Sequence, residues 1–218
     1  MYIEQNWNNI NELEFDKEDA LYAWNLCHNA FYGMKDKKKL NDSDKDYLAL
    51  QLSQFLSAYG MYRKGFIKTV NYTKFIDIVN IVMDEQYKEL FDSDELIIND
   101  IEKYKKLIFD EEDGIFNKIR YYYKRNNDTP YPFTTIMVTK ILMGVFGCII
   151  AFDTKVSEKL DLHSCSKDII EDKMTYLLTE LIENDKYYYN RFEQFRRDNN
   201  MNDLTIIRML DFILWYSL

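Results

Sequence analysis

Apolar residues recur along most of the chain with the three- and four-residue spacing of amphipathic helices, which buries one side of each helix. After a predicted cap at Asp16, the first such segment carries Ala20, Leu21, Trp24, Cys27, His28 and Phe31 and stops at Gly33. The second carries Leu48, Leu52, Phe55, Leu56 and Tyr59. We predict that the second helix begins with a capping box of Ser43 and Asp46.

The remaining polar and apolar positions predict further helices to the end of the chain. One helix is expected to carry Phe75, Val79, Val82, Met83 and Leu90. The others are expected over Ser93 to Phe109, Glu111 to Arg125, a segment capped by Ser166, Tyr188 to Phe195, and Asn202 to Tyr216. Breaking residues are scarce, with 6 Gly and 2 Pro in 218 residues. This scarcity favours long helices over hairpins.

One apolar run stands apart, because the twelve residues from Ile141 to Phe152 carry no charge in a chain that is 30% charged. About 18 residues are needed to suggest a membrane span, so this shorter run predicts a buried central helix. Gly144 and Gly147 are expected to turn the chain out of this helix. Strand signals are weak everywhere, and only the end of this run favours an extended conformation. Lys140 and Asp153 bracket the run.

These patterns predict an all-α fold, a single compact domain over residues 1–218 with about eight to nine helices. The only prolines, Pro130 and Pro132, fall close together. Proline lacks a backbone donor and restricts the preceding residue. A break at 126–133 is therefore expected, and a division into two helical subdomains there is the alternative organisation.

Composition indicates the expected cellular compartment and the type of source genome. Three unpatterned cysteines do not indicate a disulfide framework, and the first residues lack a basic start followed by an apolar run. Both features predict a cytoplasmic protein with no membrane association. Frequent Lys, Asn, Ile and Tyr with few Arg are typical of an AT-rich bacterial or phage genome.

Charge is unevenly distributed along the chain, whose net charge is -9. Asp92 to Asp113 holds nine acids and three lysines, whereas Tyr47 to Ile76 holds no acid and four basic residues. The overall charge disfavours non-specific binding to nucleic-acid phosphates. The acidic stretch is expected to be either a solvated helix face or a binding surface.

Residues that carry familiar chemistry are few. His28 lies on an apolar helix face and is expected to be a core residue, and no ligand cluster accompanies His163, so no metal is predicted. A nucleophilic pair of Cys148 and His163 is disfavoured because Cys148 lies in the apolar run. No phosphate loop, nucleophile elbow or dinucleotide motif is present, so no cofactor is predicted.

Two groups remain as candidates for function. Tyr59, Tyr62, Arg63 and Lys64 lie in a turn framed by glycines, and aromatic rings beside basic side chains suit nucleotide binding. The alternative is that these tyrosines fill the edge of the core.

The second group is the pair Lys140 and Asp153. An apolar wall lowers a lysine pKa and creates a nucleophile or base, with a buried carboxylate as its partner. The alternative is a structural ion pair, or two ends of one buried segment that each reach solvent.

Two of these segments resemble motifs of an uncharacterised bacterial helical family. The run Gln54 to Arg63 is similar to its Y-L-A-S-W-G-M-Y-R-G-S-S, and Thr139 to Asp153 is similar to its T-K-I-L-L-G-T-L-G-C-V-P-A-Y-D. Met209 to Phe212 resembles the family's C-terminal end, and the likeness spans residues 48 to 218. Lys64, Ile150 and Thr154 depart from the pattern, and the family implies no activity.

A looser resemblance is to helix-hairpin-helix DNA glycosylases, in which a lysine-initiated helix leads to an extended segment with an aspartate. Lys140 and Asp153 would match those two positions, but the glycine hairpin of those enzymes is missing and the spacing is short.

The leading hypothesis is a cytoplasmic bacterial or phage interaction protein from a mobile-element or defence locus. It would bind a protein partner through a helix face or the acidic surface. The alternative is an enzyme that acts on nucleotides or nucleic acid, whose site joins the Tyr59–Arg63 turn to Lys140 and Asp153. Oligomeric state is left open.

Overall fold

The computed structural model describes residues 20–63, 71–122, 132–198 and 204–216. Within these residues the chain forms eleven α-helices and no strand, and nine of the helices are seven residues or longer. The predicted all-α class in a single compact domain is therefore confirmed, and the nine longer helices match the predicted number of about eight to nine. The predicted cap at Asp16 and most of the predicted break at 126–133 lie outside the described residues.

The eleven described helices are numbered in chain order. They are α1 (Ala20–Tyr32), α2 (Asp42–Ala58), α3 (Ile76–Val82), α4 (Ser93–Asn99), α5 (Ile101–Phe109), α6 (Ile115–Arg120), α7 (Thr135–Phe146), α8 (Thr154–Lys159), α9 (Lys167–Glu183), α10 (Asp185–Asp198) and α11 (Ile206–Tyr216). Short 3-10 segments occur at Met61–Arg63, Tyr72–Phe75 and Glu85–Asp92. None of the described helices has the length and apolar character that a membrane crossing requires.

Helix α7 forms the centre of the core, and every residue from Met137 to Phe146 is buried. Helices α1, α2 and α6 and the 3-10 segment Glu85–Asp92 pack around it. Gly144 allows the closest of these contacts, because a Cβ at this position would overlap the ring of Phe55 from α2. An apolar surface on all sides is what a helix enclosed by other helices requires.

The prediction that one helix spans the whole apolar run is only half right. Helix α7 ends at Phe146, where Gly147 takes a left-handed conformation with φ of 65°. Gly147 thus closes the helix as a C-cap, whereas Gly144 is interior to it. The chain from Cys148 to Phe152 is buried without helical structure, and Asp153 then caps α8.

Other helix boundaries differ from the sequence pattern for a common reason, which is the choice of capping side chain. The capping box of α2 is formed by Asn41 and Asp44, two residues before the predicted pair. The helix predicted from Phe75 to Leu90 ends at Val82, and Asp84 caps the next segment. Asp100 divides the helix predicted from Ser93 to Phe109 into α4 and α5. Aspartate competes with helical backbone bonds and favours such caps.

Helix α11 closes the fold near the end of the chain and packs on α8. Its residues from Ile206 to Leu214 are all buried. Two of them, Arg208 and Asp211, are charged and stand one turn apart. A helix with this much apolar surface therefore places two charges inside the core.

Candidate functional site

The structure brings together three of the residues that sequence reasoning selected. Lys140 is in the middle of α7, and its Nζ donates to the backbone oxygen of Tyr59 at 2.9 Å. The same Nζ lies 3.7 Å from Oδ2 of Asp153, and only 7% of the Lys140 side chain is exposed. Because Tyr59 is the C-cap of α2, the lysine ammonium satisfies a terminal carbonyl and meets the negative end of that helix.

A second ion pair lies against the first and was not predicted. Arg208 pairs with Asp211 within α11, and their side chains are 4% and 2% exposed. The Arg208 guanidinium also donates from Nη2 to the hydroxyl of Tyr59. It lies 4.6 Å from the ring centroid of Phe212 and 5.6 Å from those of Trp24 and Tyr59. Aromatic faces stabilise such a cation where water is excluded.

Tyr59 contacts both ion pairs, and Asp211 adds a bond to the chain that follows α7. Its Oδ1 accepts from the backbone nitrogen of Ala151 at 2.7 Å, which ties the chain after α7 to α11. Burial raises the pKa of Asp211 to about 6, although the Arg208 charge and the hydrogen bond from Ala151 act in the opposite direction. The desolvation of the carboxylate therefore outweighs its favourable partners.

Asp153 is the member of the cluster that lies nearest the surface. Its Oδ1 caps α8 through the backbone nitrogen of Val156 at 3.2 Å. Its Oδ2 accepts from Nε1 of Trp215 at 3.3 Å, and the Lys155 ammonium stands 4.2 Å from the centroid of the Trp215 ring. We name Tyr59, Lys140, Asp153, Arg208 and Asp211 the buried polar cluster. It joins α2, α7, α8 and α11.

The remaining residues of the predicted Tyr59–Lys64 turn are only partly described. The hydroxyl of Tyr62 lies 2.7 Å from Oγ of Ser53, and burial raises the pKa of Tyr62. The backbone of Arg63 ends the 3-10 segment, while its side chain and all of Lys64 lie outside the described residues. Of the two predicted binding residues whose side chains the structure describes, Tyr59 joins the buried polar cluster.

His28 and Cys148 occupy structural positions. The Nδ1 of His28 lies 2.9 Å from the backbone oxygen of Val145, and the ring stacks on Trp24 with centroids 4.8 Å apart. Cys148 is fully buried, and burial raises the pKa of its thiol. His163 is exposed. In the part of the chain that the structure describes, no three His, Cys, Asp or Glu side chains are placed to share a metal ion.

The acidic stretch forms a different kind of site on the surface. An inner hollow of about 220 Å³ is bounded by His28, Tyr32, Asp94 and Arg196. An outer hollow of about 320 Å³ is bounded by Glu89, Asn99, Asp100 and Lys103. Asp92 and Glu95 line both hollows, which therefore adjoin. We name the two together the acidic groove. Five carboxylates and two cations line it.

Carboxylates of the acidic groove hold cations supplied by the chain itself. Nζ of Lys103 donates to both oxygens of Glu89 at 2.7 and 2.6 Å. Nζ of Lys35 donates to both oxygens of Asp92 at 2.7 and 2.9 Å.

Deeper in the groove, Asp94 pairs with Nη2 of Arg196 at 2.7 Å and accepts from the backbone nitrogen of Ile206 at 2.9 Å. Burial raises the pKa of Asp94, although the Arg196 charge and these bonds oppose the change. Two exposed carboxylates of the groove, Glu89 and Asp92, thus hold lysine ammonium groups, whereas Asp100 caps α5 and the buried Asp94 is structural.

Comparison with protein-family models, with characterised proteins and with solved structures gave no match. The likeness of the two motifs to a helical family remains an expectation. The function therefore has to be argued from the geometry of the two sites.

Proposed function

We propose that the protein is an interaction protein that binds a basic segment of a partner protein in its acidic groove. The observation that carries this proposal is the continuity of the two hollows through Asp92 and Glu95. Continuous carboxylates along a concave surface favour a positively charged, extended or helical segment. This partner chemistry follows the leading expectation from the sequence, a protein partner at the acidic surface.

The surroundings of the groove support binding beyond charge alone. Ile98 of α4 is 58% exposed, and it lies between Glu95 and Asn99, which both line the groove. Tyr32 is 41% exposed at the other end. Interfaces combine a few apolar or aromatic contacts with a polar rim. A basic segment with apolar residues would therefore find both kinds of contact.

The buried polar cluster supports the same proposal in an indirect way. Each of its acids has a structural partner, since Asp153 caps α8 and Asp211 holds Ala151. Lys140 likewise holds the end of α2. These contacts favour the alternative in which Lys140 and Asp153 connect helices, so the groove becomes the better candidate for function.

A charge-reversal experiment tests the groove. The double variant Glu89→Lys with Glu95→Lys replaces two of the lining carboxylates. We expect binding of a hexalysine peptide, measured by isothermal titration calorimetry at low salt, to weaken at least about tenfold. Raising the salt concentration should weaken binding to the unchanged protein, because exposed charges are screened.

The matched control is Glu158→Lys with Asp172→Lys, which makes the same change of net charge. Both residues are exposed, and neither lines the groove. The control variant should bind hexalysine within about threefold of the unchanged protein, since long-range charge effects are screened. Equal losses in both double variants would reject the groove as the binding site. Affinity capture from the native host, with the same three proteins as baits, then identifies the partner.

A second candidate function is an enzyme that acts on nucleotides or nucleic acid at the buried polar cluster. The specific observation in its favour is that Tyr59, Lys140 and Asp153 meet within hydrogen-bond or ion-pair distance. Ionisable groups with shifted pKa values often concentrate at functional sites, and Asp211 is such a group. This candidate requires that the cluster be reached from the side of Asp153 and Trp215.

Titration of labelled single- and double-stranded oligonucleotides at low salt tests this candidate. Binding that is lost in Lys140→Met and retained in Lys103→Met would support it, because both variants remove one lysine but only the first touches the cluster. Absence of binding at high micromolar protein would reject the nucleic-acid form of the candidate.

A further inference from the structure

Lys35 already shows which ligand the inner hollow can accept. Its Nζ is held by both oxygens of Asp92 and stands 3.9 Å from the centroid of the Tyr32 ring. A carboxylate together with an aromatic face is the usual environment for recognising an ammonium group. Asp92 and Tyr32 both belong to the lining of the inner hollow. The chain thus presents one of its own ammonium groups to two residues that line this hollow.

The interior of the hollow suits the remainder of a lysine side chain. Phe91 and Leu204 supply apolar lining, against which a four-carbon stem can pack. Ser93 also lines the hollow, is fully buried, and its Oγ has no hydrogen-bond partner among the described residues. A hydroxyl oxygen accepts hydrogen bonds from an ammonium. The carboxylate of Asp94 is committed to Arg196, so Asp92 and Glu95 are the carboxylates of this hollow that a new cation would meet.

Lys35 is well placed to give up its position. It follows α1 in a turn, outside any helix, so that rotation of its side chain alone would vacate Asp92. The Asp92 side chain is 46% exposed and the Lys35 side chain 14%, so solvent reaches the pair from the Asp92 side and screens it, which limits its contribution to stability. Replacing the Lys35 ammonium by another ammonium is therefore expected to change the stability of the fold only slightly.

We propose that the inner hollow is a receptor for a single lysine side chain of the partner protein, and that Lys35 occupies its mouth as an intramolecular competitor. This inference rests on the proposed function of the acidic groove. It adds that recognition is specific for an ammonium group and that the free protein lowers its own affinity. A competitor within the chain reduces the apparent affinity by the fraction of time for which it blocks the site.

The test is the affinity of Lys35→Ala for hexalysine, measured by calorimetry at low salt beside that of the unchanged protein. We expect about a five- to tenfold gain, because the competitor is removed and Asp92 is released. Lys88→Ala is the matched control. Lys88 pairs with Asp36 and Glu85, so its removal makes the same face more negative without touching Asp92 or Tyr32. The control should gain no more than about twofold.

Two further measurements keep the outcome unambiguous. Tyr32→Leu in the Lys35→Ala background should reverse most of the gain, since both the ring face and the hydroxyl that donates to Asp92 are lost. Hexaarginine should gain less than hexalysine from Lys35→Ala. Equal gains in Lys35→Ala and Lys88→Ala would overturn the inference while leaving the groove intact. Absence of hexalysine binding in every variant would instead reject the proposed function itself.

Discussion

The buried polar cluster and the acidic groove both contain ion pairs between a basic and an acidic side chain. The cluster lies in the core, whereas the groove lies at the surface. In the cluster, Arg208 and Asp211 are almost completely buried, and each has further partners in the core. In the groove, Lys103 and Glu89 also lie within hydrogen-bond distance, with about half of each side chain exposed. The distance between the charged atoms therefore does not distinguish the two sites, whereas their exposure to water does.

The difference in surroundings decides what each pair can do. A buried pair has been taken out of water, so that removing one partner leaves an uncompensated charge inside the protein. An exposed pair exchanges with water and ions at little cost. We infer that the cluster maintains the fold and that the groove remains available to a partner. This division of roles predicts that substitutions in the cluster cost more stability than substitutions in the groove.

The largest effect is expected for Asp211→Ala. This change leaves Arg208 and the backbone nitrogen of Ala151 without their partner in the core. The free energy of unfolding, from urea denaturation followed by circular dichroism, should fall by about 3 to 5 kcal/mol. Asp92→Ala removes the partner of Lys35 at the surface and should cost less than about 1 kcal/mol. Similar losses for both variants would contradict the division.

The second effect concerns pH. The folded chain binds a proton at Asp211 with a pKa of about 6, whereas the ordinary value is 3.8. The stability that this group contributes is therefore complete below about pH 4 and is lost as the pH rises through 6. The loss corresponds to about 3 kcal/mol. Urea denaturation of the unchanged protein and of Asp211→Asn between pH 4 and 7 measures it. Parallel pH profiles for the two proteins would show that the Asp211 pKa is not raised.

A smaller effect is expected for Lys140→Met, which keeps the length and apolar stem of the side chain. The change removes the bond to the oxygen of Tyr59 and the charge beside Asp153. We expect a loss of about 1 to 3 kcal/mol, the cost of leaving a buried acceptor unsatisfied. A variant as stable as the unchanged protein would show that Lys140 does not connect α2 and α7, and would favour a functional role for it.

The smallest effect is expected for Lys103→Met in the acidic groove. Its pair with Glu89 is exposed, so the free energy of unfolding should change by less than about 1 kcal/mol. Affinity for hexalysine should rise slightly, because one cation leaves the groove. A loss of stability comparable with that of Lys140→Met would place the groove among the structural elements and weaken its proposed role in binding.

Features that depend on neighbouring residues could be predicted from the sequence. The all-α class follows from apolar spacing, and the Ser166 cap of α9 was expected, with its Oγ accepting from the Ile169 nitrogen at 3.4 Å. The structural role of His28 was expected as well, and its bond to Val145 agrees with it. The choice between Asn41 and Ser43 as the cap of α2 was not predictable, since the nearby polar side chains offer competing caps.

Features that depend on distant residues were decided only by the tertiary structure. The sequence singled out Tyr59, Lys140 and Asp153, and only packing of α2, α7 and α8 placed them together. Arg208 was missed, although a charge on an otherwise apolar helix was a signal that could have revealed it.

The same holds for the acidic groove. Local charge counts predicted an acidic surface, but its concave shape arises where α1, α4 and the segments around Arg196 and Thr205 meet. The chemical type of each side chain, and its local charge pattern, can be read from the sequence. Burial and concavity depend on contacts between residues that lie far apart in the chain, so only the tertiary structure decides them.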